Sequence, residues 1–155
     1  MKKIIFLLAF LVSVSLTAQT FSGTVTRVKD GDTFVVVDSL KIEHTIRLQG
    51  VDCPEKKQPY GADATAFTTK SILGKTVTVE VVNKDRYFRE VSWITYDKKL
   101  NLSRELLKAG FAWHYKEYDN SRYLQTLENR AKRAKLGLWA GDNPIYPSIY
   151  RNTKK

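Results

Sequence analysis

Short β-branched segments bounded by turn residues recur between residues 21 and 96, and they restrict that stretch to an architecture of small, closely connected strands. Phe21 to Lys29 is rich in Thr and Val, Thr33 to Val37 is a β-branched run, and Ile42 to Leu48 alternates apolar with polar residues. The connectors Asp30-Gly31-Asp32 and Asp38-Ser39-Leu40-Lys41 are short and rich in turn formers, which predicts an antiparallel meander. A loop from Val51 to Pro59 follows, with Pro54 and Pro59 blocking regular pairing. Gly61 to Leu73 then reads as a helix with Ala62, Ala66, Phe67 and Ile72 or Leu73 on its inner face and Gly74 as its stop. Lys75 to Val82 and Glu90 to Tyr96 are a fourth and a fifth strand, joined by the charged link Asn83 to Arg89.

Five short strands with a helix inserted after the third is the order of a five-stranded OB-fold barrel, an α+β arrangement once helices are appended. Asn101 predicts the cap of a second helix running through Ala109, with Leu102, Leu106 and Leu107 inward and Gly110 at its end. A third helix is predicted over Ser121 to Leu136, where Leu124, Leu127, Ala131 and Ala134 recur at spacings of three and four. The expected organisation is one barrel domain over 19–143 carrying three α-helices, followed by an extended tail over 144–155.

The leading residues do not belong to that fold. Lys2 and Lys3 precede an apolar run from Ile4 to Val12 and small residues ending at Ala18, the pattern of a signal peptide over 1–18. The run is too short for a spanning helix, which needs roughly 20 apolar residues. The expectation is therefore a secreted or periplasmic monomer with no membrane attachment after cleavage. From residue 19 on there are 24 Lys and Arg against 16 Asp and Glu, a net charge of +8. Such a balance favours a polyanionic partner, because docking on closely spaced phosphates releases counterions. A single cysteine, Cys53, excludes an intramolecular disulfide and any zinc site built on several thiolates.

The carboxylates Asp30, Asp32, Asp52 and Glu55 fall in or beside loops that can meet at one end of a barrel. Oxygen ligands without His or thiolate suit a hard cation, calcium or magnesium. Arg47 precedes Asp52 by five residues, and Arg89 closes the link between the last two strands. A guanidinium offers a planar fork to phosphate and stays charged, so two arginines facing a metal can brace a phosphodiester. Salt bridging to the same acids is the competing role.

Five segments in series then resemble the staphylococcal nuclease (thermonuclease) family: Val28-Lys29-Asp30-Gly31-Asp32-Thr33, Ile46 to Glu55, Gln58-Pro59-Tyr60-Gly61, Asp85-Arg86-Tyr87-Phe88-Arg89, and Gly110-Phe111-Ala112-Trp113-His114-Tyr115. The resemblance covers roughly residues 21 to 140. It implies a calcium-dependent nuclease, an endonuclease-type hydrolase acting on DNA and RNA and leaving 3′-phosphates. Asp32 and Asp52 would bind Ca2+ through carboxylates and Cys53 through its carbonyl; Glu55 would activate water; Arg47 and Arg89 would hold the phosphate. By the same resemblance Arg86, Tyr87, Tyr115 and Tyr118 would flank the substrate, aromatic rings stacking on bases while cations track phosphates.

The chain departs from the family at two of these positions. Cys53 stands where Thr or Ala is usual and is expected as an exposed, oxidisable thiol. Phe88 replaces a turn glycine, and displaces Arg89 if the backbone there needs a positive φ. His44 and His114 have no metal-ligand spacing and are expected to be structural. The alternative from another class is a non-catalytic OB-fold module that only binds single-stranded nucleic acid, with no reason to retain Glu55.

Overall fold

The structure, a computed structural model, describes residues 19–153, so the expected signal peptide over 1–18 lies outside the described residues. In chain order come β1 (Thr20–Val28), β2 (Thr33–Asp38), β3 (Glu43–Leu48), the two-residue β4 (Val51–Asp52) and helix α1 (Gly61–Ile72). Then follow β5 (Thr76–Lys84), β6 (Glu90–Tyr96), β7 (Leu100–Asn101), α2 (Leu102–Ala109), β8 (Trp113–His114), α3 (Arg122–Arg133), a 3-10 turn at Gly137–Ala140 and α4 (Pro147–Asn152).

The first three strands form the antiparallel meander, with β2 paired on both sides. β5 adds to the free edge of β1, and β6 adds to β5. β6 also pairs with β3 in parallel, Arg47 opposite Val91, which closes five strands into the expected barrel. Bulges at Val25/Arg27 and Val81/Asn83 add the bend and twist that closure of so small a barrel requires. Phe34, Val36, Ile46, Val79 and Ile94 point into the barrel and are completely buried.

Helix α2 matches its sequence signals closely. The Asn101 side chain accepts the Arg104 N–H at 3.1 Å, and Gly110 ends the helix at φ 75°. In α1 the inner face differs from the expected one: Gly61, Ala64, Thr68 and Ile72 are buried, while Ala62 and Ala66 face solvent. The cause is Thr68, whose hydroxyl donates to the Gly31 carbonyl at 2.6 Å and so fixes a polar residue in the apolar stripe. Helix α3 stops at Arg133 rather than Leu136, because Lys135 and Gly137 take positive φ values of 51°.

The tail over 144–155 was expected to be extended and the helices to number three. Instead Pro147, pre-set for the first turn of a helix, opens a fourth helix, α4, that packs against the barrel rim.

Candidate active site

Strand pairing dictates the centre of the site. Thr33 at the start of β2 lies opposite Arg47 in β3, so Asp32, one residue earlier, meets the guanidinium. Arg47 Nη1 is 3.2 Å from Asp32 Oδ2, and Nη2 donates to Asp52 Oδ1 at 2.9 Å. Nη1 also donates to the main-chain oxygens of Leu48 and Val51, at 3.0 and 2.8 Å. The Arg47 side chain is only 10% exposed. Burial opposes its charge, but Asp32 and Asp52 outweigh burial and push its pKa up.

The acids around it are crowded. Burial, reinforced by the charge on Asp32, pushes Asp52 up to about 6 and Asp30 up to about 7. Asp32 is held in place: Cys53 N–H donates to its Oδ2 at 2.6 Å and Thr33 Oγ1 to its Oδ1 at 3.2 Å. The first of these bonds lays the main chain of residue 53 against the carboxylate. Among the described residues no three His, Cys, Asp or Glu side chains gather into a ready-made metal cluster. A cation here would take the Asp32 and Asp52 carboxylates, a main-chain oxygen and water, a donor set that fits calcium and would relieve the repulsion between the acids.

Glu55 stands at the lip of the same cleft. The parallel register of β3 and β6 carries the β5–β6 hairpin to the opposite wall, where Arg89 lies. Its Nε donates to Asp85 Oδ2 at 2.7 Å and its Nη1 to Thr33 Oγ1 at 3.4 Å. Phe88 does take a positive φ, 62°. Arg89 is not displaced, because Asp85 Oδ1 accepts the N–H groups of Tyr87 and Arg89, at 2.8 and 3.0 Å, and clamps the turn. The strained residue sends its ring into solvent instead, 87% exposed.

Tyr87 lies under two guanidinium groups, 4.9 Å from Arg86 and 5.5 Å from Arg89. Tyr115 and Tyr118 reach the cleft because β4 pairs with β8, Asp52 opposite Trp113. Tyr115 N–H then donates to Gly50 O at 3.0 Å, and Gln49 Nε2 to Tyr118 O at 3.2 Å. All the residues expected at the site, Asp32, Arg47, Asp52, Cys53, Glu55, Arg86, Tyr87, Arg89, Tyr115 and Tyr118, line one cleft.

The full chain is similar to an "Uncharacterized endonuclease" of Escherichia coli O157:H7, 39% identical over 154 residues, 99% of this chain and 100% of that protein. The family model described as "Staphylococcal nuclease homologue" matches residues 45–141. The chain belongs to the staphylococcal nuclease family. Two further relatives are a Haemophilus influenzae "Uncharacterized endonuclease", 35% identical over 96% of this chain and 83% of its own, and "Staphylococcal-like nuclease CAN1" of Arabidopsis thaliana. The latter is 42% identical over 71% of this chain and 34% of its own.

Within this staphylococcal nuclease frame one sequence expectation changes, one holds, and one residue is added. The Cys53 thiol is not exposed: it is 3% accessible, and burial, aided by the charge on Asp32, pushes its pKa well up. Its side chain points into the core beside Gly31, where a Cβ would stand 2.8 Å from Cys53 Cβ. The histidines are structural: His44 contacts Asp38 and Glu90 at 3.3 and 3.1 Å, and His114 contacts Asp119 at 3.0 Å. The residue that sequence reasoning missed is Arg151 of α4, which lies beyond the stretch matched by the nuclease model. No motif surrounds it, and its only sequence signal is a lone arginine between Tyr150 and Asn152.

Proposed function

We propose that this endonuclease-class hydrolase is an exported enzyme that cuts phosphodiester bonds of DNA and RNA with calcium and leaves 3′-phosphates. The observation that carries the reading is the buried Arg47 guanidinium between Asp32 and Asp52, with Glu55 and Arg89 on the same cleft. A guanidinium so placed can exchange a carboxylate for a phosphate oxygen without leaving the site.

Asp32 and Asp52 would hold the cation, with the main-chain oxygen of Cys53. The bound ion supplies positive charge against the phosphate oxygens. Arg47 and Arg89 grip the non-bridging oxygens and stabilise charge that grows as the phosphorus becomes five-coordinate. Glu55 accepts a proton from a water molecule as that water's oxygen bonds to phosphorus. The bond from phosphorus to the 5′ oxygen breaks, that oxygen takes up a proton from solvent, and the phosphate stays on the 3′ side. Tyr87, Tyr115 and Tyr118 give bases a stacking surface, and Arg86 adds a backbone contact. An unstacked strand fits such rings better than a closed duplex.

The test is cleavage of labelled single-stranded DNA, duplex DNA and RNA with calcium or with chelator. Chelator is expected to abolish cutting, and Glu55→Gln to slow it by about 10² or more while oligonucleotide binding is retained. Undiminished cutting in chelator defeats the cation assignment. A folded protein that binds and never cuts is the non-catalytic binding module.

A further inference from the structure

Helix α4 is latched to the rim of the cleft. Gln58 Nε2 donates to Ile145 O at 2.5 Å, and Tyr150 OH donates to Lys57 O at 2.8 Å. The Tyr146 ring packs edge-on against Trp113, 5.7 Å between centroids. The latch delivers one side chain to the reaction centre: Arg151 Nη1 donates to Glu55 Oε1 at 2.5 Å, and Nη2 to Asp52 Oδ2 at 3.3 Å. Asp52 is thus shared, one oxygen to Arg47 and the other to Arg151.

The two arginines are held differently. Arg47 makes two further bonds to main-chain carbonyls inside the barrel, whereas Arg151 is 41% exposed and bonds only carboxylates among its recorded partners. Its present contacts are with the carboxylate that would carry the cation and the carboxylate that would take a proton from water. Both must be given up when the site is loaded. A cation on Asp52 competes with the guanidinium for Oδ2, and a phosphate held by Arg47 comes within reach of a group that sits on the same carboxylate. The planar fork of arginine fits phosphate oxygens as it fits a carboxylate, so a guanidinium displaced from Asp52 by a cation finds a new partner in the incoming phosphate.

We propose that Arg151 is a third phosphate-binding arginine of this nuclease, held by Asp52 and Glu55 until cation and nucleic acid arrive and then transferred to the substrate backbone. The proposal rests on the cation and substrate reading above. It makes Arg151 a competitor of the cation and an ally of the substrate, so its removal has opposite effects on the two.

Two measurements on the full chain separate these effects. Calcium alone is titrated calorimetrically, and a fluorescent single-stranded phosphorothioate oligonucleotide, charged but slow to be cut, is titrated by anisotropy at saturating calcium over a range of salt. Arg151→Ala is expected to bind calcium about fivefold more tightly, since no guanidinium then has to leave Asp52 Oδ2. The same variant is expected to bind the oligonucleotide several-fold more weakly, with a salt slope smaller by about one phosphate contact. Arg151→Lys restores most of the salt slope. Lys56→Ala, which removes a like charge from the neighbouring loop, reports the general effect of charge on calcium affinity, and circular dichroism reports folding.

Tightening of both ligands means that Arg151 is only a plug, and overturns the proposal. Weakening of both means that α4 merely supports the fold, and overturns it too, as does calcium affinity that rises no more than in Lys56→Ala. If no variant and not the natural sequence binds calcium, the cation reading falls and takes this inference with it.

Discussion

Arg47 and Arg89 line one cleft, but the chain supports them in opposite ways. Arg47 comes from the end of β3 in the closed barrel, is nearly inaccessible, and is tied by four polar partners, two of them main-chain oxygens. Arg89 comes from the base of an exposed hairpin, where one aspartate, Asp85, holds both its guanidinium and the turn before it. A buried guanidinium cannot be shifted without leaving carbonyls and acids unpaired. A hairpin arginine can adjust at little cost. If both hold a phosphate, the fixed arginine would define where it sits and the adjustable one would follow it.

The largest effect should come from the fixed partner. Arg47→Lys keeps the charge but loses the fork, and single-turnover cleavage of a short oligonucleotide at saturating calcium should fall by about 10² or more. A near-normal rate in a folded variant would remove Arg47 from the reaction. Arg89→Lys should fall about tenfold, because the hairpin can bring an ammonium to the same oxygens. Equal losses at both positions would erase the contrast drawn above and give the two arginines one role.

Smaller effects sharpen the contrast in stability rather than rate. Phe88→Gly removes a left-handed bulky residue whose ring lies mostly in solvent, and should raise the urea midpoint by the equivalent of about 1 kcal/mol with cleavage unchanged. Lower stability would mean that the Phe88 ring is held by contacts after all. The smallest effect concerns the buried wall: the Cys53 thiol should resist alkylation in the native protein and react promptly in denaturant, with activity intact after native exposure. Rapid native labelling would show that this wall opens.

The legible parts of the molecule were those whose signals are local. Asp30-Gly31-Asp32, Asn101 and Gly110 each specify a turn or a cap by their own chemistry, and the barrel followed from strands spaced by such signals. The family motifs then brought together every candidate side chain of the cleft. The inner face of α1 was misread because the burial of Thr68 depends on a carbonyl in a distant loop, that of Gly31. Cys53 was misread for a similar reason: a loop position looks accessible until its neighbours, Gly31 and Ala64, are known to pack over it. Arg151 had no local signal, since its partners lie almost a hundred residues earlier in the chain and only α4 joins them.

The parallel pairing of β3 with β6 has a consequence for how the chain acquires its chemistry. Arg47 and Val91 become neighbours only after α1 and β5 have been placed between them, so this is the long-range contact that closes the barrel. Closing a long loop spends chain entropy before any contact rewards it, which makes such a step slow and late. The two walls of the cleft are on either side of that seam. A chain that has folded its meander but not yet its seam holds Asp32 beside Arg47 with Arg89 still at large, so the candidate site is completed in a single late step rather than by degrees.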